Sequence, residues 1–185
     1  MDQDQLDPVA ALLHEANGET IVYRRQFMDG YGHPPTKLAK VHHFRAVAQA
    51  LVNNGKRFQL NAEYAEFGRL SFIDRTTNAA LLIRSARQYE IERAQQQGTL
   101  FDLVLPSETL VVYGFHKAGL DLSVAGTRRQ LGKKRVLASG PATFMGTWPY
   151  LTDTPPSFDQ GQRDTFEELD EDYEDDEGDQ SGEAG

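Results

Sequence analysis

The sequence contains no cysteine, a single tryptophan and no long run of apolar residues. Without cysteine, disulfide bonds, a thiol nucleophile and thiolate metal ligands are excluded. A membrane-spanning helix requires about 18 or more consecutive apolar residues, and no segment of the sequence satisfies this requirement. The acidic N-terminus also lacks the basic and apolar regions of a signal peptide. We therefore expect a cytoplasmic protein without a membrane partner.

Basic residues are absent from the last part of the sequence. Segment 164–185 contains 12 acidic residues and no lysine or arginine, so all 19 basic residues precede it. The formal net charge of −9 therefore combines a mildly basic body with a strongly acidic segment. Because the apolar periodicity stops near residue 150, we predict one globular domain over 1–150. A proline-containing linker over 151–163 and a disordered acidic tail over 164–185 are predicted to follow it.

The N-terminal pattern predicts a short helix followed by a strand. Asp7 suits an N-cap, Pro8 suits the first helical position, and Asn17 with Gly18 supplies a stop signal. Apolar and polar residues then alternate over 20–27, which is typical of a strand.

A well-defined amphipathic helix is predicted over 36–54, where apolar residues recur at every third or fourth position. Thr36 is expected to cap this helix, and Gly55 to close it in the left-handed conformation. The content of glutamine and glutamate over 87–97 favours another helix.

From residue 70 onward, short apolar segments alternate with polar turns, which predicts an antiparallel β meander. The strands are expected over 70–73, 79–84, 109–116, 120–124, 128–131, 134–138 and 143–147. The sequence as a whole therefore predicts an α+β fold.

No motif for catalysis or for a cofactor is present. The histidines do not follow HxxxH or HExxH spacing, and the adjacent His42 and His43 point about 100° apart on a helix, so they cannot share a metal ion. A GxSxG elbow, a phosphate-binding loop, a GxGxxG motif and an EF-hand are also absent. We expect a non-enzymatic protein with no cofactor and no metal. A small hydrolase or nuclease without a recognisable motif is an alternative.

A basic cluster coincides with a predicted hairpin. Five positive charges lie within eight residues, with no acidic residue among them. The cluster consists of Arg128, Arg129, Lys133, Lys134 and Arg135. Like charges on paired strands repel one another, whereas a polyanion relieves the repulsion and releases its own counterions. The cluster therefore predicts binding of DNA or RNA.

Lys37 and Lys40 extend this prediction to the helix over 36–54, because lysines in its first turns oppose the helix dipole and favour an anionic partner. An edge strand that lysine protects against aggregation is the alternative explanation of the hairpin charges. The acidic tail of the chain itself is a third candidate for binding there.

Apolar residues within the acidic tail predict a docking segment. Phe166, Leu169 and Tyr173 are spaced i, i+3 and i+7, as in a segment that folds against a basic, apolar groove of a partner. We therefore predict a nucleic-acid-associated accessory protein whose tail modulates binding or recruits a basic protein. The alternative is a protein-interaction adaptor that docks through its tail and has no nucleic-acid role.

Overall fold

The computed structural model describes residues 3–61, 70–95, 102–130 and 136–150. The predicted linker and acidic tail lie outside the described residues. The helices are α1 (Gln3–Tyr31), α2 (Lys37–Asn54) and α3 (Ala86–Gln95). The strands are β1 (Phe58–Leu60), β2 (Ser71–Asp74), β3 (Ala79–Ser85), β4 (Asp102–His116), β5 (Gly119–Gln130), β6 (Val136–Ala138) and β7 (Thr143–Pro149). The predicted α+β fold class is confirmed.

The seven strands form one mixed sheet with the order β1-β2-β3-β4-β5-β6, and β7 pairs with β5 as well. Neighbouring strands are antiparallel except for β3 and β4, which are parallel. The prediction of an antiparallel meander is therefore wrong at this pair. The physical reason is α3, because a helix between two strands carries the chain back across the sheet and lets the second strand run parallel to the first.

The first helix is longer than predicted. α1 contains 29 residues, so a short helix followed by a strand over 20–27 is wrong. Gly18 lies inside α1 at an exposed position and does not end it. An exposed glycine costs a helix only about 1 kcal/mol, whereas each buried large apolar side chain contributes about 1.5–3 kcal/mol. The buried residues of α1 follow helical spacing: Leu6, Val9, Ala10, Leu12, Leu13, Ala16, Asn17 and Thr20.

Asp7 and Pro8 also lie inside α1 rather than at its start. Asp7 has a tertiary role instead of a capping role, because its carboxylate accepts a hydrogen bond from Trp148 Nε1 at 2.7 Å. This bond joins the first turns of α1 to β7. No helix among the described residues is long and apolar enough to cross a membrane.

The second helix begins as predicted. The Oγ1 atom of Thr36 accepts a hydrogen bond from the backbone N–H of Ala39 at 3.2 Å, which confirms the cap. Gly55 closes the helix by donating its N–H to the carbonyl of Leu51, but its backbone is extended, with φ −85°, rather than left-handed. The helix predicted over 87–97 is confirmed by α3, although residues 96 and 97 lie outside the described part of the chain.

Helices cover both faces of the sheet. α1 and α2 pack on one face, where Phe44 of α2 and Phe72 of β2 belong to the same buried cluster. α3 packs on the other face, where Tyr89 belongs to a second cluster with Leu82 and Leu110. The sheet therefore separates the surface of α1 and α2 from the surface of α3.

The predicted strand 120–124 and the described residues 128–130 of the next predicted strand belong to one continuous strand, β5. β5 pairs with β6 in antiparallel register, with Arg129 opposite Val136, so the two strands of the predicted basic hairpin are confirmed as partners. The residues that connect them, 131–135, lie outside the described residues.

Candidate nucleic-acid interface

A groove of about 510 Å³ lies on the α3 face of the sheet. Glu90, Arg93 and Ala94 of α3 form one wall, and Arg128 of β5 lies on the other side with residues 138–141. The groove therefore brings a basic residue of a helix together with one residue of the predicted basic hairpin.

Hydrogen bonds hold the two walls of the groove together. The hydroxyl of Tyr89, a buried residue of α3, donates to the carbonyl of Gly140 at 3.0 Å and accepts from the N–H of Ala142 at 2.8 Å. The N–H of Ser139 also donates to the carbonyl of Gly126 at 2.9 Å. These bonds tie the segment after β6 both to α3 and to β5, so the shape of the groove is set by the fold.

A buried ion pair holds α3 on the sheet. Arg84 Nε lies 3.6 Å from Glu92 Oε1, and the two side chains are only 2% and 8% exposed. Gln88 also donates from Nε2 to Glu92 Oε1 at 3.4 Å. Burial of a single charge is costly, so each member of such a pair requires the other. The pair thus positions Glu90 and Arg93, which lie on the same helix and line the groove.

The chemistry of the groove suits an anion that carries several oxygens. Arg93 is exposed and Arg128 is half-buried, and Glu90 is the acidic residue of the lining. A guanidinium is planar and donates paired hydrogen bonds, a geometry that matches carboxylate and phosphate groups.

The rest of the predicted hairpin cluster is only partly described. The backbone of Arg129 pairs with Val136 at the end of β5. Lys133, Lys134 and Arg135 lie outside the described residues, in the connection between β5 and β6. These three residues are linked in sequence to Arg128, near the end of β5, and to β6, which leads into the 138–141 segment of the groove.

The structure does not bring all the predicted binding residues together. Lys37 and Lys40 lie in the first turns of α2, on the face of the sheet opposite α3. Arg93, in contrast, was not singled out by sequence reasoning. The only available signal was its position on the helix predicted over 87–97, because nothing in the sequence indicates that this helix packs beside the hairpin.

A second group of titratable side chains lies at the opposite end of β5. Nε2 of His14 on α1 donates to the carbonyl of Trp148 at 3.2 Å, and its ring lies 5.2 Å from that of Tyr150. Burial lowers the pKa of His14, and the hydrogen bond to Trp148 opposes this change in part. Burial also raises the pKa of the Tyr150 hydroxyl, which donates to the carbonyl of His116 at 2.9 Å.

His116 belongs to an acid–imidazole pair with Asp121, with 2.9 Å between Nε2 and Oδ1. The neighbouring hydroxyl of Thr147 donates to the same carboxylate oxygen at 2.6 Å. The Thr147 hydroxyl is thus directed at Asp121 and not at the imidazole of His116. An activated nucleophile is hydrogen-bonded to its general base, so this arrangement is typical of a network that stabilises a turn. Among the described residues, no group of three histidine, aspartate or glutamate side chains is placed to hold a metal ion.

No family model, curated protein or solved structure matches this chain.

Proposed function

We propose that this chain is a non-enzymatic accessory protein that associates with nucleic acid. The groove of α3 and the adjoining basic hairpin bind the phosphate backbone of DNA or RNA, and the acidic tail modulates that binding. The observation that carries the proposal is the placement of Arg93 on α3 beside Arg128 on β5 in one groove. The basic residues Arg129, Lys133, Lys134 and Arg135 continue the chain from Arg128.

The lining of the groove supports phosphate binding over protection of a sheet edge. β6 is a short strand at the end of the strand order, so charges in the hairpin are suited to prevent edge-to-edge association. Protection of the sheet edge does not explain why an arginine on α3 lines the same groove as Arg128. Phosphate binding accounts for both arginines, because a backbone with repeated charges benefits from donors on both sides of a groove.

Charge-matched variants test the proposal. Fluorescence anisotropy of labelled single-stranded and duplex oligonucleotides is measured against the full chain and against a variant with Arg93→Gln and Arg128→Gln. The control carries Arg75→Gln and Lys117→Gln, which removes two exposed positive charges at turns away from the groove. We expect the groove variant to bind at least about tenfold more weakly, because each charged hydrogen bond contributes about 1 kcal/mol or more.

The two double variants have the same net charge, so long-range attraction is equal in both. An equal loss of affinity in the two variants would show that net charge alone drives binding and would overturn the groove as the site. Absence of binding by the parent chain at low salt would overturn the nucleic-acid function itself. Arg93→Gln alone, at an exposed position, repeats the test without disturbing the half-buried Arg128.

A further inference from the structure

The outer part of α1 extends beyond the hydrophobic core. Every residue from 21 to 31 is exposed or half-buried, whereas the buried stripe of α1 ends at Thr20. We call residues 21–43, which comprise this part of α1, the following loop and the first turns of α2, the helical tip. Several large apolar residues there are strongly exposed: Val22 (43%), Met28 (45%), Tyr31 (70%) and Leu38 (48%). The exposed ring of Tyr31 adjoins that of Phe27, and an exposed apolar patch is typical of an interaction site.

Aromatic rings along the helical tip form a continuous series. The ring of Phe27 lies 5.9 Å from Tyr23, 4.5 Å from Tyr31 and 5.6 Å from His33, measured between centroids. Tyr23 in turn stacks on His43 of α2. These contacts hold the rings in place before any ligand arrives, which reduces the entropy lost on binding.

The helical tip is also basic. It contains Arg24, Arg25, Lys37 and Lys40, with Asp29 as its single acidic residue. An aromatic and basic surface fits a ligand that combines apolar side chains with carboxylates. Segment 164–185 of this chain has that composition, because Phe166, Leu169 and Tyr173 lie among its 12 acidic residues.

We propose that the helical tip is the docking site of the acidic tail of the same chain. Phe166, Leu169 and Tyr173 pack on the aromatic series of α1, and the surrounding carboxylates lie near the basic residues of the tip. This docking does not depend on nucleic-acid binding by the α3 groove.

The position of residue 150 favours the helical tip over the hairpin. The ring of Tyr150 packs against His14 of α1, and Phe27 lies thirteen residues further along the same helix. At about 1.5 Å of rise per residue, this separation is roughly 20 Å along the helix axis. Residues 151–165 connect Tyr150 to Phe166, and a random coil of that length has an end-to-end distance of roughly 20 Å. The length of the connection therefore matches the distance to the tip.

The basic hairpin is farther from the start of the tail. Pro149 pairs with Gly119 at the beginning of β5, and the hairpin connection follows Gln130 at the end of this 12-residue strand. At about 3.3 Å per residue, the two ends of β5 are roughly 35–40 Å apart. The effective concentration of the tail falls at a site that lies beyond the preferred span of the connection 151–165. This connection therefore favours docking at the helical tip over docking at the hairpin.

Paramagnetic labelling of the full chain tests this docking. The chain has no cysteine, so Ser181→Cys introduces a unique site for a nitroxide label. We expect broadening of the amide signals of residues 21–43, with little effect on 126–130 and 136–138. A contact of about millimolar affinity is occupied about half of the time at the millimolar effective concentration of a short linker.

A matched tail variant separates apolar docking from charge attraction. Phe166→Ser, Leu169→Ser and Tyr173→Ser retain every carboxylate, and we expect them to remove the broadening at 21–43. Broadening that persists in this variant, or that is centred on 126–130 and 136–138, overturns the proposal. A mixture of nitroxide-labelled chains with separate isotope-labelled chains tests for contact between copies. Broadening in this mixture would assign the contact to a second copy and would also overturn docking within one chain. None of these outcomes depends on whether the α3 groove binds an oligonucleotide.

Discussion

The ring of Tyr23 on α1 lies flat against the imidazole of His43 on α2, with 4.1 Å between centroids and an interplanar angle of 12°. This stack joins the two helices beyond the end of the buried stripe of α1. It requires α1 to remain helical past Gly18, because a strand over 20–27 would place Tyr23 elsewhere. The helical tip therefore depends on the continuity of the first helix.

Gly18→Ala is expected to stabilise the protein by about 0.5–1 kcal/mol. Gly18 is exposed inside α1, an added Cβ would meet no atom within 4 Å, and alanine is the better helix former. Urea-induced unfolding followed by circular dichroism measures the change in the free energy of unfolding.

Gly119→Ala is the matched control for this substitution. Gly119 has φ +153°, and a Cβ at that position would clash with the carbonyl oxygen of Trp148. We expect this variant to be destabilised, because both the backbone conformation and the space favour glycine. A destabilised Gly18→Ala would contradict a continuous first helix.

Glu92→Ala is expected to destabilise the fold by about 3–5 kcal/mol, because it leaves the charge of Arg84 buried beside α3 without its carboxylate. Arg84→Met combined with Glu92→Leu removes both charges, and we expect it to recover most of the loss. Chemical unfolding of the two variants and the parent gives the comparison. A double variant as unstable as Glu92→Ala would mean that the ion pair is not the source of the effect.

Stability is expected to decrease as pH falls below about 6.5, in part through His14. Burial lowers the pKa of His14 in the folded state, so the unfolded chain takes up the proton first on acidification. The contribution of His14 is therefore complete above about pH 6.5 and is lost as pH falls through the folded-state pKa.

His14→Gln removes this titration. The difference in the free energy of unfolding between parent and variant should be constant at about pH 7.5–8 and should change as pH falls toward about 5.5, because the parent loses more stability. Urea unfolding at each pH measures this difference. Parallel pH profiles of the two proteins would show that His14 titrates alike in the folded and unfolded states.

Removal of residues 164–185 is expected to tighten oligonucleotide binding at low salt by about twofold or more, because the 12 carboxylates of the tail weaken the electrostatic attraction between the chain and a polyanion. The gain should shrink as salt rises, since screening weakens this long-range repulsion. Fluorescence anisotropy of the full and truncated chains measures it. A gain of the same size at low and at high salt would contradict an electrostatic effect of the tail.

Local patterns predict the elements that depend on local interactions. The cap at Thr36 and the stripe of α2 both come from residues close in sequence, and the structure contains the cap and buries Val41, Phe44 and Ala48 of the stripe. The pairing of β5 with β6 was also predictable, because a short connection joins the two strands. The same local rules fail at Gly18, since a weak stop signal competes with burial of the α1 stripe against distant strands.

Long-range relationships were not predictable from local patterns. The parallel pairing of β3 with β4 depends on α3, which carries the chain back across the sheet between the two strands. The groove depends on the same packing, so Arg128 was identified from its neighbours in sequence, whereas Arg93 emerged only from the tertiary structure. The separation of Lys37 and Lys40 from the groove by the whole sheet likewise has no signal in the sequence.

The salt dependence of oligonucleotide binding tests the central claim most directly. Each phosphate contact contributes about 0.7–0.9 to the slope of log affinity against log salt concentration. The variant with Arg93→Gln and Arg128→Gln should therefore have a slope that is shallower by about 1.4–1.8 than that of the parent. The control with Arg75→Gln and Lys117→Gln should retain the parent slope. Equal slopes for the parent and the groove variant would contradict binding of phosphates in the α3 groove.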